Sequence, residues 1–465
     1  MRGLGRDPVC DPVSELLRKP RMITVMATPH GDSILVDDYL PVRRSLRAAI
    51  VTETYPPEVN GVAATIARVV EGLRASGHEL QLVRPRQDSL QEPMGEERSA
   101  EVRFSEVRFS EVLLRGLPIP RYPQLKMGLP ARRALLRLWT AHRPDVVHIV
   151  TEGPLGWSAL QAATQLRLPV VSDFRTNFQA YSRHYGVGWL RAPVMAYLRK
   201  FHNRTFCTMV PTEGLKTELS SAGFKGLRVV ARGVDTQRFS PLHRSQALRA
   251  RWGADTDTCV ALCVGRLAAE KNLGAVIEAF EAMRAEDPRM RLVLVGDGPE
   301  RQRLQQRSPD TIFTGLRQGA DLSAHYASAD VFLFPSTTET FGNVVPEAMA
   351  SGLAVVAYDH AAAGQLIRHG ENGLLARYDD TPEFCRVARR IAGDALQVRD
   401  LGRRARTTAC TLDWGRIVDA IEAEYANAIG ATVAPGGVQA FTAARSDSMR
   451  GASASAMLNH TATLK

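Results

Sequence analysis

The chain has 465 residues, of which 45% are hydrophobic and 23% charged, and a formal net charge of +10. That length exceeds one hydrophobic core and the apolar residues are well dispersed, which excludes a disordered protein and predicts two globular domains. No apolar run reaches the roughly 18 residues of a membrane-crossing helix, and with 6% aromatic residues and no binding motif a nucleic-acid partner is not expected.

Residues 1–45 show no sustained periodicity and read as a disordered extension; their opening, MRGLGRDPVCDPVSELLRKP, lacks the apolar centre of a secretion signal. The cysteines form no CxxC pair, and Cys259 and Cys263 lie in an apolar run as buried thiols, so a reducing cytoplasm is the expected compartment. Charge is uneven. Residues 101–250 hold 23 Lys and Arg against 9 Asp and Glu, and this basic half is expected to face an anionic partner.

From Leu46 the pattern sharpens. LRAAIVTE reads as a buried strand, YPPEVNGV as a loop, TIARVVEGLRASG as a helix stopped by glycine, and HELQLVRP as a second strand. This is one βαβ unit of a parallel sheet. The tandem copy EVRFSEVRFSEV (101–112) sits where a connecting segment is expected. PARRALLRLWTAHRP (130–144) is a basic helix with two readings: a sheet-covering element, or one lying on an anionic bilayer. PDVVHIVTEG follows as a strand that ends at His148 and Glu152, and LPVVSDF, FCTMVPTEG and LRVVARGVD continue the series.

A second series begins after FSPLHRSQALRARWGA. TCVALCVGRL, MRLVLVGDG, TIFTGL, ADVFLFPS and LAVVAYD read as strands with helices between them. The expected boundaries are 46–240 for a first Rossmann-like domain, 241–413 for a second, 414–430 for a terminal helix and 431–465 for a disordered tail. Ligands of doubly wound sheets bind beyond the carboxyl ends of the strands, so the cleft between the domains is the expected site.

Three segments of the second domain carry chemistry. In VGRLAAEKN, Gly265 ends a strand and Arg266 and Lys271 follow on one loop, where a guanidinium and an ammonium suit neighbouring phosphates. LVLVGDGPE ends a strand in Gly296 and Gly298. In TETFGNVVPEAMASG, Pro346 is tolerated only in a first helical turn, which sets the helix start near Asn343 or Val344, beside Gly342. Unpaired amides there favour an anion. Glu339 and Glu347 flank the turn and are expected to point into the cleft, where carboxylates accept sugar hydroxyls. The only Asp-x-Asp, Asp255/Asp257, precedes a strand and reads as a turn; no metal and no other cofactor is expected.

Glu339-x7-Glu347 within ETFGNVVPEAMASG, preceded by GRLAAEKN and VGDGPE and by NGV in the first domain, resembles retaining nucleotide-sugar glycosyltransferases of family 4 with the GT-B fold. The resemblance spans roughly residues 46–425 and is closest to bacterial GDP-mannose-dependent α-mannosyltransferases, including those acting on lipid acceptors. It implies that Arg266 and Lys271 hold the diphosphate, Glu339 reaches the transferred sugar, Glu347 holds the ribose, and Asn60 and Gly61 face the phosphate and acceptor. Gly265, Gly296, Gly342, Asn343 and Val344 complete the donor site. It implies a lipid or glycan acceptor and a terminal helix that crosses back to the first domain. His148 and Glu152 fall on the acceptor side. Arg175, in SDFRTNF, stands where many relatives have a sugar-contacting histidine; His184 is a candidate substitute. Two alternatives stay open: a UDP-sugar-dependent glycolipid synthase of the same family, and a nucleotide-sugar epimerase or binder on the same scaffold. The enzyme is expected in the cytoplasm, peripheral on the inner face of the membrane.

Overall fold

The computed structural model describes residues 45–58, 60–86, 101–106, 108–119, 122–175 and 191–433. The leader up to residue 44, His184 and the tail from residue 434 lie outside the described residues.

Apolar runs such as VVHI, CTMV and VALCV are buried along their whole length, as parallel strands covered on both faces must be. They assemble into two sheets. The first has the order Leu227–Val229, Cys207–Val210, Val170–Asp173, Val146–Ile149, Arg47–Val51, Glu79–Pro85, Phe109–Leu114, Glu101–Glu106, parallel except at the last pair. The second has the order Ile312–Gly315, Arg291–Val295, Val260–Val264, Val331–Phe334, Ala354–Tyr358, Leu374–Ala376 and is parallel throughout. Helices cover both sheets.

The tandem copy differs from expectation. It forms the edge of the first sheet: Glu101–Glu106 and Phe109–Leu114 run antiparallel, with Val102 opposite Val112 and Arg103 opposite Glu111. Alternation of apolar and polar residues at period two favours a strand, and repeating it supplies a ready pairing partner.

The basic helix Arg132–Ala141 turns its apolar side inward. Leu135 and Trp139 are buried, and Trp139 Nε1 donates to Gln81 Oε1 at 2.8 Å. The side chains that would have entered a bilayer are therefore committed to the core, and the outer face presents Arg132, Arg133 and Arg137 to solvent. Among the described residues no helix is long and apolar enough to cross a membrane.

The helix Trp414–Val433 follows the second domain but packs on the first. Val418, Ile421, Tyr425 and Ala428 join a core with Ile66, Val69, Leu73 and Val171. Gly72 makes room for it: a Cβ there would lie 2.4 Å from Val418 Cγ2. Each such apolar side chain contributes roughly 1.5–3 kcal/mol by leaving water, so the helix fastens the two domains together.

Candidate functional site at the meeting of the two switch points

In each sheet the strand order reverses once beside the first strand of its series. In the first sheet this lies between Arg47–Val51 and Val146–Ile149; in the second, between Val260–Val264 and Val331–Phe334. Loops diverge from such a point and leave a crevice at the carboxyl ends. The second crevice receives Gly265, Arg266 and Lys271 from one loop and Glu339, Gly342 and Asn343 from the other. The first receives Asn60 and Gly61. The two crevices touch: Asn343 Nδ2 lies 3.4 Å from both Gly61 O and Thr65 Oγ1.

In the second crevice both expected cations have acidic partners. Arg266 pairs with buried Glu270, its own side chain remaining 34% exposed, and Lys271 pairs with Glu339. Ser336 Oγ donates to the same Glu339 oxygen at 2.8 Å. Burial alone would raise the Glu339 pKa, but the Lys271 ammonium, hydrogen bonds from Lys271 and Ser336, and His360 hold it below the usual carboxylate range. Glu339 is thus kept as an acceptor-only carboxylate.

Glu347 is a different acid. It accepts a hydrogen bond from Tyr326 Oη at 2.9 Å, and burial lifts its pKa to about 7 against the opposing effects of that bond and of Arg238. The helix it belongs to is Val344–Ala350, with Asn343 at the N-cap position but making no side-chain cap bond. Gly342 enters it with φ +90, a conformation open to glycine and strained for other residues. Val345 and Glu347 N–H bond to Gly342 O and Asn343 O, whereas the amides of Asn343 and Val344 have no backbone partner among the described residues.

Gly296 answers to packing more than to a ligand. A Cβ there would fall 1.9 Å from Gly265 O, so the two strand ends approach only because the side chain is missing. Gly265 itself opens on empty space, as a position beneath a ligand would. Asp255 is spent on a turn, its Oδ1 accepting from Asp257 N, Thr258 N and Thr258 Oγ1.

The first-domain expectations need correction. His148 does not face the cleft. It is fully buried, with Nε2–H donating to Asp173 Oδ2 at 2.9 Å and Nδ1 hydrogen-bonded to Tyr425 Oη at 2.8 Å. The helix Trp414–Val433 covers the strand end at which it lies. Glu152 is also buried, its Oε1 accepting from His202 Nε2 at 3.2 Å. Arg175 is held by Asp173, with Nε donating at 2.6 Å. Burial would raise the Asp173 pKa, but Arg175 and His148 hold it far below its ordinary value. Asn60 acts as a helix cap: its Oδ1 accepts from Val62 N and Ala63 N, and its Nδ2 donates to Thr54 Oγ1. Gly61, and not the Asn60 side chain, is the part of that motif that reaches the opposite domain.

Two residues at the site escaped sequence reasoning. Glu53 follows the first strand and accepts from Leu155 N at 3.1 Å. Burial raises its pKa to about 7, with the Leu155 amide opposing and Glu152 adding to the rise. The signal was its place at the end of LRAAIVTE. Arg232, in VVARGVD, is 8% exposed and donates from Nη1 to Asn343 Oδ1 at 3.2 Å, its guanidinium 5.4 Å from the centre of the Phe341 ring.

Two parallel α/β sheets meeting through their switch points, with Arg, Lys and Glu on the second, form the arrangement of a GT-B glycosyltransferase. Residues 59–238 match the family described as Glycosyltransferase Family 4, and residues 258–394 match that described as Glycosyl transferases group 1. The chain is 38% identical over 333 residues to the GDP-mannose-dependent alpha-mannosyltransferase of Mycobacterium tuberculosis, covering 71% of this chain and 83% of that one. It is 28% identical over 355 residues to the alpha-monoglucosyldiacylglycerol synthase of Acholeplasma laidlawii, covering 71% and 84%. In fold it is similar to sucrose-phosphate synthase from Thermosynechococcus elongatus, with TM-score 0.64 at 19% identity, covering 83% and 100%. The chain belongs to glycosyltransferase family 4, and it is a glycosyltransferase.

Proposed function

We propose that the enzyme transfers a mannosyl residue from GDP-mannose, with retention at the anomeric carbon, to a hydroxyl of a lipid or glycan acceptor. The observation that carries this reading is the contact of the two crevices at Gly61 and Asn343, with Arg266, Lys271 and Glu339 on the loops that border it. The mannosyltransferase named above supports the donor, and the diacylglycerol glycosyltransferase supports a lipid acceptor.

The transfer passes through an oxocarbenium-like state while negative charge grows on the departing diphosphate. Arg266 and Lys271 stabilise that charge without moving far, and preorganised groups of this kind contribute about 10²–10³ in rate each. A bound diphosphate competes with Glu270 and Glu339 for the two cations. Release of Lys271 frees the ionised Glu339 to accept hydroxyls of the sugar. Glu347, on the short helix Val344–Ala350, suits a ribose. The acceptor hydroxyl attacks from the face the diphosphate leaves, and its proton passes to that phosphate. Two cations at the diphosphate fill the part of a divalent ion, and EDTA is expected to leave turnover unchanged.

The exposed arginines of Arg132–Ala141 suit electrostatic attachment of the first domain to an anionic membrane. Sedimentation with liposomes that increases with anionic lipid supports it; independence from lipid charge removes it. A thermal-shift panel of GDP, UDP and ADP with their sugars tests the donor, the largest shift being expected with GDP and GDP-mannose. An inverted anomeric centre in the product would refute the mechanism.

A further inference from the structure

Three arginines among the described residues are more than nine-tenths buried, and two of them turn both terminal nitrogens onto protein carbonyls or a carboxylate. Arg249 pairs with Asp330 and donates to the carbonyls of Ser328, Asp255 and Thr258. Arg406 donates to the carbonyls of Phe239, Ala350 and Thr236. Arg232 has no carboxylate within ion-pair distance among the described residues. Its hydrogen bond is to a neutral amide, Asn343 Oδ1, and one face lies over Phe341. Arg232 also lines a cavity, together with Thr65, Asp173, Arg175 and Trp414. A buried guanidinium left without a counter-charge is costly, and an arriving oxyanion removes that cost.

The location limits which oxyanion. Arg232 is on the segment after the last strand of the first sheet, yet it binds the cap residue of the second sheet's helix, and that residue touches Gly61 across the cleft. Arg266 and Lys271 are each paired with a glutamate, whereas Arg232 keeps its charge uncommitted. Burial and the neighbouring Arg175 lower its pKa to about 9, against the raising effect of Asp173 and Glu339, so it stays cationic at neutral pH.

We propose that Arg232 is a third cation of the donor site, contributed from the first-domain side, which binds the departing diphosphate and stabilises its charge during transfer. This rests on the reading of the cleft as a nucleoside-diphosphate-sugar site. Bidentate donation to phosphate oxygens is what a planar guanidinium supplies and an ammonium does not.

The test uses the full chain with Arg232→Ala and Arg232→Lys, titrated with GDP and, by competition, with guanosine. The alanine variant is expected to weaken GDP at least tenfold and guanosine less than twofold, with the lysine variant between. Millimolar guanidinium chloride is expected to restore at least tenfold of the turnover lost in Arg232→Ala, which a merely structural role would not allow. Unchanged GDP affinity would overturn the proposal and leave Arg232 to an anion of the acceptor. Equal losses for GDP and guanosine would overturn it too, as general damage. If the wild type binds UDP and not GDP, the donor reading fails, and the same titration with UDP and uridine still decides the role of Arg232.

Discussion

The two domains end their central strands in loops of similar composition, rich in acids, arginines and a histidine or lysine, but use them in opposite ways. On the second domain Arg266, Lys271 and Glu339 stay partly open, with Arg266 paired to Glu270 and Lys271 to Glu339, so a diphosphate can exchange partners with them. On the first, His148, Asp173 and Tyr425 form a closed chain beneath the helix Trp414–Val433, and Glu152 and His202 form another. His148 and Glu152 are thereby committed to partners inside the first domain. A strand's carboxyl end is thus a necessary address for a functional side chain in this fold, and what covers that end decides whether it functions.

The comparison breaks most easily at Arg266. Arg266→Ala is expected to lower kcat/KM by about 10³ and to weaken GDP, since it removes a phosphate cation. It also leaves Glu270 buried without its partner, so Arg266→Lys is the control: it retains a charge for Glu270 and is expected to keep the melting temperature while losing most turnover. Glu339→Gln comes next. GDP affinity measured by calorimetry is expected to hold while kcat falls by about 10², because an amide cannot match an ionised acceptor of sugar hydroxyls.

Glu347 sharpens the comparison through pH. Its folded pKa, about 7, lies above the unfolded value, so the fold favours the protonated acid. The stabilisation is complete below the ordinary carboxylate range and is lost as pH rises through 7. Denaturant unfolding between pH 4 and 8 is expected to show up to about 3 kcal/mol of this loss in the wild type. Glu347→Gln is expected to remove that part of the slope, with the share due to Glu53 remaining. The smallest effect belongs to the closed side. Tyr425→Phe leaves His148 Nδ1 without its hydrogen-bond partner and is expected to cost about 1–3 kcal/mol of stability, with GDP affinity unchanged.

Much of this was legible in order and spacing. Buried runs closed by glycine specify parallel strands, and Pro346 fixes the helix start within a residue because its ring is excluded from later turns. Arg266, Lys271 and Glu339 were legible because each lies in a short loop directly after a strand. His148 was misplaced because its covering partner, Tyr425, is 277 residues away, and periodicity carries no information over that distance. The edge strands at 101–112 were missed because a repeated polar-apolar alternation was read as a connector, although it is also what an edge hairpin requires. Arg232 gave no signal at all. A lone arginine after a three-residue strand looks like a surface charge until the other domain closes over it.

The most direct test is a crystal structure with GDP-mannose or GDP bound. The account predicts the diphosphate beside the Gly61–Asn343 contact, with Lys271 drawn from Glu339 and Arg266 from Glu270 toward its oxygens. A diphosphate seated elsewhere, with both of those ion pairs intact, would contradict it.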